Sequence, residues 1–140
     1  MKNVLIANNT FINGIGNPNE GRGGVIISQG EHQNVRFENN IVHQAGDLPV
    51  IATVNQVGVT YSHNLWSKTP WSMASGPGDI IGDAIFEQSG ELYSAESYKL
   101  TNISPAIDGA EFLPEVIVDY FGFDRSPLPD MGANEFSLFP

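Results

Sequence analysis

The sequence of 140 residues lacks cysteine, and it holds only 6 lysine and arginine residues against 16 aspartate and glutamate residues. Without cysteine the chain can form neither a disulfide framework nor a thiolate site for catalysis or metal binding. The formal net charge of −10 argues against a nucleic-acid partner and against anionic lipid, because binding to phosphates needs cations that displace counterions. Calcium and uncharged sugars remain compatible with this composition.

Long apolar runs are also missing from the sequence. No stretch approaches the ~18 residues that a transmembrane helix requires, so we expect no membrane insertion. Residues 1–15 contain one lysine and no apolar block that ends in a cleavage site, so we predict no signal peptide in this chain. The chain is therefore either cytoplasmic or a fragment of a longer protein. Its length is that of one domain with a sizeable core.

One phrase occurs three times: two apolar or aromatic residues two positions apart, then one further residue, then Asn-Asn or His-Asn. The copies are NVLIANNTFING at 3–14, NVRFENNIVHQAG at 34–46 and VGVTYSHNLWSK at 57–68. Aligning Val4, Val35 and Val59 brings the asparagines of the three copies into line at intervals of 31 and 24 residues. The extra residues of the longer interval fall in NGIGNPNEGRGG, which has the composition of turns.

A second apolar phrase recurs between these copies, as GVIISQ at 24–29 and VIATVNQ at 50–56, with Val25 aligned to Val50. Each repeat then contains about three short strands, exemplified by Val25 to Ser28, Val35 to Phe37 and Ile41 to Val42. Strands this short cannot bury a face alone, but stacked copies form a continuous core. We therefore predict an all-β fold, a parallel β-helix of about three rungs, in which each rung is one repeat.

The recurrent asparagines are Asn9, Asn40 and Asn64. We expect each to lie at a corner of its rung, where Asn tolerates the left-handed conformation or turns inward. Side-chain amides in successive rungs can then hydrogen bond to one another as a ladder. The sequence therefore predicts a structural role for these three residues, and an outward corner position for His63.

Short motifs with regular spacing fill the second half of the chain. They comprise Gly82, Asp83 and Phe86; Ser104, Pro105, Ala106, Ile107 and Asp108; Asp119, Gly122 and Arg125; and Asp130, Gly132, Ala133 and Glu135. This series resembles the closing segment, called choice-of-anchor in some cases, of large bacterial secreted β-helix proteins of the pectin-lyase-like superfamily. The departures are Ala84, where that pattern has Pro, and Gly109-Ala110 in place of Ala-Gly.

The resemblance implies a right-handed parallel β-helix in an extracellular or cell-surface protein, with rungs over 1–79 and a last rung and closing segment of the same domain over 80–140. It also implies a polysaccharide or surface glycan as partner. We hypothesise that the chain is the C-terminal β-helix portion of a secreted polysaccharide-associated protein, without turnover of its own. A complete small polysaccharide lyase or glycoside hydrolase, and a cell-surface structural or adhesin module, are the alternatives.

The closing segment contains one arginine near several acids. Arg125 has five N–H donors and no acceptor, so we predict that it bridges carboxylates and locks the last turn. The carboxylates in reach along the chain are Asp119, Asp130 and Glu135. A calcium site formed by the same three carboxylates is the alternative, since Ca²⁺ binds six to eight oxygens.

The loops that follow the third phrase of each repeat would stack along one flank of a β-helix. Their chemically capable residues are Glu20, Arg22, His43, Asp47 and Lys68. A lyase would need a base and a cation there, and a hydrolase would need two carboxylates about 5 to 10 Å apart. Solvated loop residues are the simpler interpretation. Trp71, in a loop after Pro70, is the candidate for stacking against a sugar.

The first rung contains Val4, Ile6 and Phe11, and nothing in the sequence before it predicts a cap. A terminal rung of a solenoid presents unpaired backbone groups and apolar side chains. We therefore expect the chain to form a homodimer through this rung, since a self-complementary patch closes at two copies.

Overall fold

The computed structural model describes residues 1–14, 23–28, 30–53, 57–88, 90–91, 93–125 and 127–138. Short strands make up most of the regular secondary structure in the described chain. They are β1 (Lys2–Ala7), β2 (Thr10–Ile12), β3 (Val25–Ile27), β4 (Gln33–Glu38), β5 (Ile41–His43), β6 (Ile51–Thr53), β7 (Val59–Ser62), β8 (Leu65–Trp66) and β9 (Ile80–Ile81). Ser72–Ala74 and Ala95–Tyr98 form 3₁₀ turns.

The strands form three parallel sheets, and each sheet takes strands from equivalent positions of the repeat. Their orders are β1-β4-β7, β2-β5-β8-β9 and β3-β6. The register follows the sequence alignment, because Val35 pairs with both Val4 and Val59, and Val42 pairs with both Phe11 and Trp66. The prediction of an all-β chain with parallel strands is confirmed.

The alignment of the second apolar phrase was wrong by one residue. Val25 pairs with Ile51 rather than Val50. Val50 instead uses its carbonyl to accept a hydrogen bond from Val25 N at 3.0 Å. Val50 and Ile51 are both buried, so hydrophobicity alone could not decide between the two registers.

The main core lies among the three sheets. Val35, Phe37, Val42 and Trp66 are at most 1% exposed. Phe37 stacks on Phe11 from the preceding repeat, with centroids 6.0 Å apart, and on Trp66 from the following one, at 5.8 Å. Such aromatic pairs each contribute about 0.5–1.5 kcal/mol beyond area burial. The aromatic stack therefore ties successive repeats together.

A second core forms on the other face of the β2-β5-β8-β9 sheet. Ile41 and Leu65 are fully buried there against the closing segment, together with Ala84, Leu100, Ala106 and Met131. Adjacent residues of a strand point to opposite faces. Because this sheet is covered on both faces, the doublets Ile41-Val42 and Leu65-Trp66 are apolar at both positions.

The corner between the first and second strands of each repeat uses two polar residues. The first of the pair is Asn8, Asn39 or His63, and it adopts a φ of 53°, 59° or 51°. Asn is among the side chains that tolerate this left-handed conformation best. The second residue of the pair is Asn9, Asn40 or Asn64, so the left-handed turn and the recurrent asparagine occupy neighbouring positions.

The 3₁₀ turns are short. Within the described ranges, no helix combines the length and the apolar character needed to cross a membrane.

Candidate functional site

The recurrent asparagines form a continuous row of side-chain hydrogen bonds. Asn9 Nδ2 donates to Asn40 Oδ1 at 3.0 Å, and Asn40 Nδ2 donates to Asn64 Oδ1 at 3.1 Å. The same oxygens accept the backbone N–H groups of Asn9 and Asn40, each at 3.0 Å. Asn40 and Asn64 are fully buried. We call this row the asparagine ladder, and its contacts are those of a structural element.

Asp79 ends the asparagine ladder, and the sequence alignment missed it. Its Oδ1 accepts the backbone N of Asn64 at 2.8 Å, as an asparagine of a further repeat would. Its Oδ2 accepts Trp66 Nε1 and Gly76 N, both at 2.9 Å. Asp79 follows Asn64 by 15 residues rather than 24. The only local signal was the turn sequence GPGD at 76–79.

The left-handed residues of the corners bind the closing segment. Asn39 Nδ2 donates to the carbonyl of Glu111 at 2.7 Å, and Asn39 Oδ1 accepts Glu111 N at 3.0 Å. Asn8 Nδ2 donates to the carbonyl of Asp130 at 3.3 Å. His63 Nδ1 lies 3.6 Å from Glu111 Oε2. The two polar positions of each corner thus serve different partners.

Arg125 holds the final loop together from a buried position. Its side chain is 3% exposed, and Nη1 contacts Glu135 Oε1 at 2.5 Å. Nη1 also donates to the carbonyl of Asp130 at 3.1 Å, and Nη2 donates to that of Gly132 at 2.8 Å. Of the three carboxylates expected around Arg125, the structure brings Glu135 into direct contact. We call these contacts of Arg125 the closing lock.

The other two carboxylates accept backbone N–H groups. Asp119 Oδ1 accepts Phe121 N at 2.9 Å and Phe123 N at 2.8 Å, while Oδ2 accepts Glu135 N at 2.8 Å. Asp130 Oδ1 accepts Asp108 N at 2.8 Å. These carboxylates therefore fix the turns of the closing segment. Burial raises the pKa of the Asp130 and Glu135 carboxyls above their ordinary values.

Metal ligation was the alternative for Asp119, Asp130 and Glu135. Among the residues that the structure describes, no three acidic or histidine side chains come together as a metal site would require. Instead, each of these carboxylates accepts N–H donors from the chain.

The predicted catalytic flank is only partly described. Glu20 and Arg22 lie outside the described residues. The ring of His43 packs edge-on against Phe86, with centroids 6.4 Å apart. Lys68 Nζ donates to the carbonyls of Gly46 and Leu48, the latter at 2.8 Å. Lys68 therefore closes the loop that contains the exposed Asp47.

Trp71 is 46% exposed and precedes the 3₁₀ turn Ser72–Ala74. Trp66, the other tryptophan, is a core residue with no exposed surface.

A polar cluster lies on the face of β4 away from the core. Arg36 Nε lies 3.3 Å from Glu38 Oε1, and Arg36 Nη2 lies 2.8 Å from Glu115 Oε1. Burial is the main cause that raises the pKa of the Glu38 carboxyl, opposed by the charge of Arg36 and reinforced by Glu111 and Glu115. This ion pair attaches the segment around Glu115 to the sheet.

A cleft of about 620 Å³ opens where the second strand of the first repeat meets the closing segment. We call it the aromatic cleft. It is lined by Thr10, Ile12, Asn13, Tyr93, Ala95, Tyr98, Tyr120, Phe121, Ala133 and Asn134. Its volume is within the range of about 300–1,000 Å³ that is typical of small-ligand sites. Four of the ten lining residues are aromatic, and the polar ones are Thr10 and two asparagines.

Specific contacts position the walls of the aromatic cleft. Tyr120 and Phe121 pack edge to face, 5.1 Å apart, on the turn that the Asp119 carboxylate holds. The backbone N of Ala133 donates to Thr10 Oγ1 at 3.0 Å, which joins the closing segment to β2. Tyr120 N donates to the carbonyl of Ala133 at 2.8 Å. The carboxylate turns thus set the shape of the cleft.

The other wall is the 3₁₀ turn Ala95–Tyr98. Tyr98 packs edge-on against Phe86, with centroids 5.6 Å apart. Tyr93, just before this turn, is 90% exposed and has a φ of 78°. A large aromatic side chain at this exposure, held on an unusual backbone, is an available surface for stacking.

An ion pair lies beside the aromatic cleft. Lys99 follows Tyr98, and its Nζ lies 4.5 Å from the Phe121 ring centroid and 2.5 Å from Glu96 Oε2. No charged side chain is among the described lining residues. The cleft therefore presents aromatic rings, hydroxyls and amides without net charge.

Comparison with protein-family models gives no match to this chain, and comparison with curated proteins gives none either. The pectin-lyase-like resemblance therefore depends on the sequence motifs alone.

Proposed function

We propose that this chain is a carbohydrate-binding unit built on a right-handed parallel β-helix, and that the aromatic cleft holds the glycan. The parallel sheets in repeat order and the asparagine ladder support the β-helix assignment. The closing-segment motifs support an extracellular or cell-surface protein associated with polysaccharide. The observation on which the function depends is the cleft with four aromatic residues and no charged residue in its described lining.

The chemistry of the aromatic cleft suits a sugar. The C–H faces of a pyranose ring are apolar and pack on aromatic rings, while its hydroxyls both donate and accept hydrogen bonds. Tyr93 and Tyr120, at 90% and 69% exposure, offer rings for such packing. Asn13 and Asn134 line the same space, and amides supply donors and acceptors together. A cleft of this composition can hold and orient a short glycan segment.

Binding without turnover is the form of the proposal that the geometry supports best. Two of the described catalytic candidates, His43 and Lys68, contact Phe86 and loop carbonyls. A glycoside hydrolase is the second candidate, favoured by one observation. Burial raises the pKa of the Glu38 carboxyl, as a general acid requires. A second carboxylate, that of Glu115, contacts the same Arg36 as Glu38. Glu38 does not line the aromatic cleft.

Affinity electrophoresis in gels that contain soluble polysaccharides tests the proposal. Mobility of the wild-type chain should fall in at least one polysaccharide gel, and Tyr120→Ala should restore it. Trp71→Ala is the matched control, since Trp71 is an exposed aromatic outside the cleft. Equal loss of retardation in both variants, or no retardation in any gel, contradicts binding at the cleft. Release of reducing ends that Glu38→Gln abolishes would favour the hydrolase instead.

A further inference from the structure

We infer that the aromatic cleft selects uncharged sugar units and excludes uronates. This inference rests on the proposed function and names its class of ligand. An acidic glycan would need a cation at or near the site to compensate its carboxylates, and a neutral one would not. The distribution of charge in the described chain therefore indicates whether an acidic or a neutral glycan fits the cleft.

The described basic side chains near the closing segment are already paired. Arg36 contacts Glu38 and Glu115, and Arg125 is 3% exposed against Glu135. Lys99, the basic residue adjacent to the cleft in sequence, contacts Glu96 at 2.5 Å. A uronate at the cleft would have to compete with Glu96 for Lys99.

The charge of the whole chain acts in the same direction. A net charge of −10 creates a field that repels a polyanionic glycan and leaves a neutral one unaffected. The lining residues that the structure describes add no local cation to offset this field. Local contacts and long-range field therefore agree on an uncharged ligand.

Isothermal titration calorimetry with hexasaccharides tests the inference. The neutral probes are β-1,4-linked glucose, mannose and xylose hexamers, and the acidic probes are galacturonate and mannuronate hexamers. We expect at least one neutral probe to bind at least about tenfold more tightly than either acidic probe. Binding should change less than about twofold between 20 and 200 mM salt, because screening affects only charged pairs.

Two variants sharpen the measurement. Tyr120→Ala removes a ring that is 69% exposed, so it should fold normally and weaken neutral binding roughly tenfold. Lys99→Gln removes a cation that lies 4.5 Å from the Phe121 ring centroid without removing any lining side chain, and should leave neutral binding within about twofold. If Lys99 instead bound a uronate, Lys99→Gln would abolish that binding.

The outcomes are distinct. Acidic hexamers that bind as tightly as neutral ones, with loss at high salt or in Lys99→Gln, overturn the selectivity and leave carbohydrate binding intact. No binding of any hexamer overturns both the selectivity and the proposed function. A proline-rich peptide that binds where no sugar does would also overturn both, and would assign the aromatic rings to polypeptide recognition.

Discussion

Asn40 is the central residue of the asparagine ladder, and replacing it by alanine tests the ladder most sharply. The side chain has no exposed surface. Its Oδ1 accepts hydrogen bonds from the backbone N and the side-chain Nδ2 of Asn9. Its Nδ2 donates to the carbonyls of Ile6 and Glu38 and to Asn64 Oδ1. Asn40→Ala removes all of these contacts and leaves a cavity.

The expected loss of unfolding free energy depends on which hydrogen bonds the partners of Asn40 retain after the substitution. The carbonyl of Glu38 retains a bond from Asn8 N, and Asn64 Oδ1 retains one from Asn40 N. The carbonyl of Ile6 belongs to β1, which stays paired with β4 in parallel register, so the substitution does not leave it without a partner. With about 1 kcal/mol for each lost side-chain contact, we expect a loss of about 3–5 kcal/mol in unfolding free energy.

Asn9→Ala is the matched control. Asn9 is exposed at the end of the asparagine ladder, and its side chain donates to Asn40 and to the carbonyl of Ala7. Water can replace these contacts, so its loss should cost about 1 kcal/mol or less.

Urea unfolding followed by tryptophan fluorescence measures both variants. Trp71→Phe in the background leaves the buried Trp66 as the only reporter, since the chain has 2 tryptophans. A domain is stable by only about 5–15 kcal/mol, so the difference between the variants should be large. If Asn40→Ala and Asn9→Ala lose equal stability, the ladder does not stabilise the fold and the reasoning is refuted.

Three further predictions concern other parts of the chain. Arg125→Ala should cost about 3–5 kcal/mol, because it leaves the buried Glu135 carboxylate unpaired, and a thermal melt that does not change would show that the closing lock is dispensable. Because burial raises the pKa of Glu38 above its ordinary 4.5, its protonated form favours the folded state, so unfolding free energy should fall as the pH rises from about 4.5 through the folded pKa. Glu38→Gln should flatten this part of the profile in urea titrations at several pH values, and an equal slope in both proteins would exclude Glu38 as its source. We also propose that β1, an edge strand with one neighbour in the described chain, pairs with a second copy. Light scattering should then give a dimer at micromolar concentration, whereas a monomer would rule this contact out.

The sheets were predictable from sequence because their register repeats the apolar pattern. Val4, Val35 and Val59 align in sequence and pair in space. The register of Val25 was missed by one residue, since both Val50 and Ile51 are apolar and buried. Periodicity therefore identifies strands well, but it cannot choose between two neighbouring buried residues.

The ends and the site were less predictable, for a different physical reason. Asp79 replaces an asparagine at an interval of 15 rather than 24 residues, so no repeat alignment finds it. Each carboxylate near Arg125 could accept hydrogen bonds from several donors. In the structure, backbone N–H groups donate to Asp119 and Asp130. The aromatic cleft combines segments more than 100 residues apart, such as Thr10 with Ala133. Only tertiary packing brings those segments together.

The central claim is that a glycan binds at the aromatic cleft, and nuclear magnetic resonance of the ¹⁵N-labelled chain tests it most directly. Titration with the tightest neutral hexasaccharide should shift the backbone amides of Ile12, Asn13, Phe121, Ala133 and Asn134, which line the cleft. Amides of the loop around Asp47 and Lys68 should stay unchanged. Shifts confined to that loop and to Trp71 would place the glycan on the flank that the sequence first indicated, and would contradict the account.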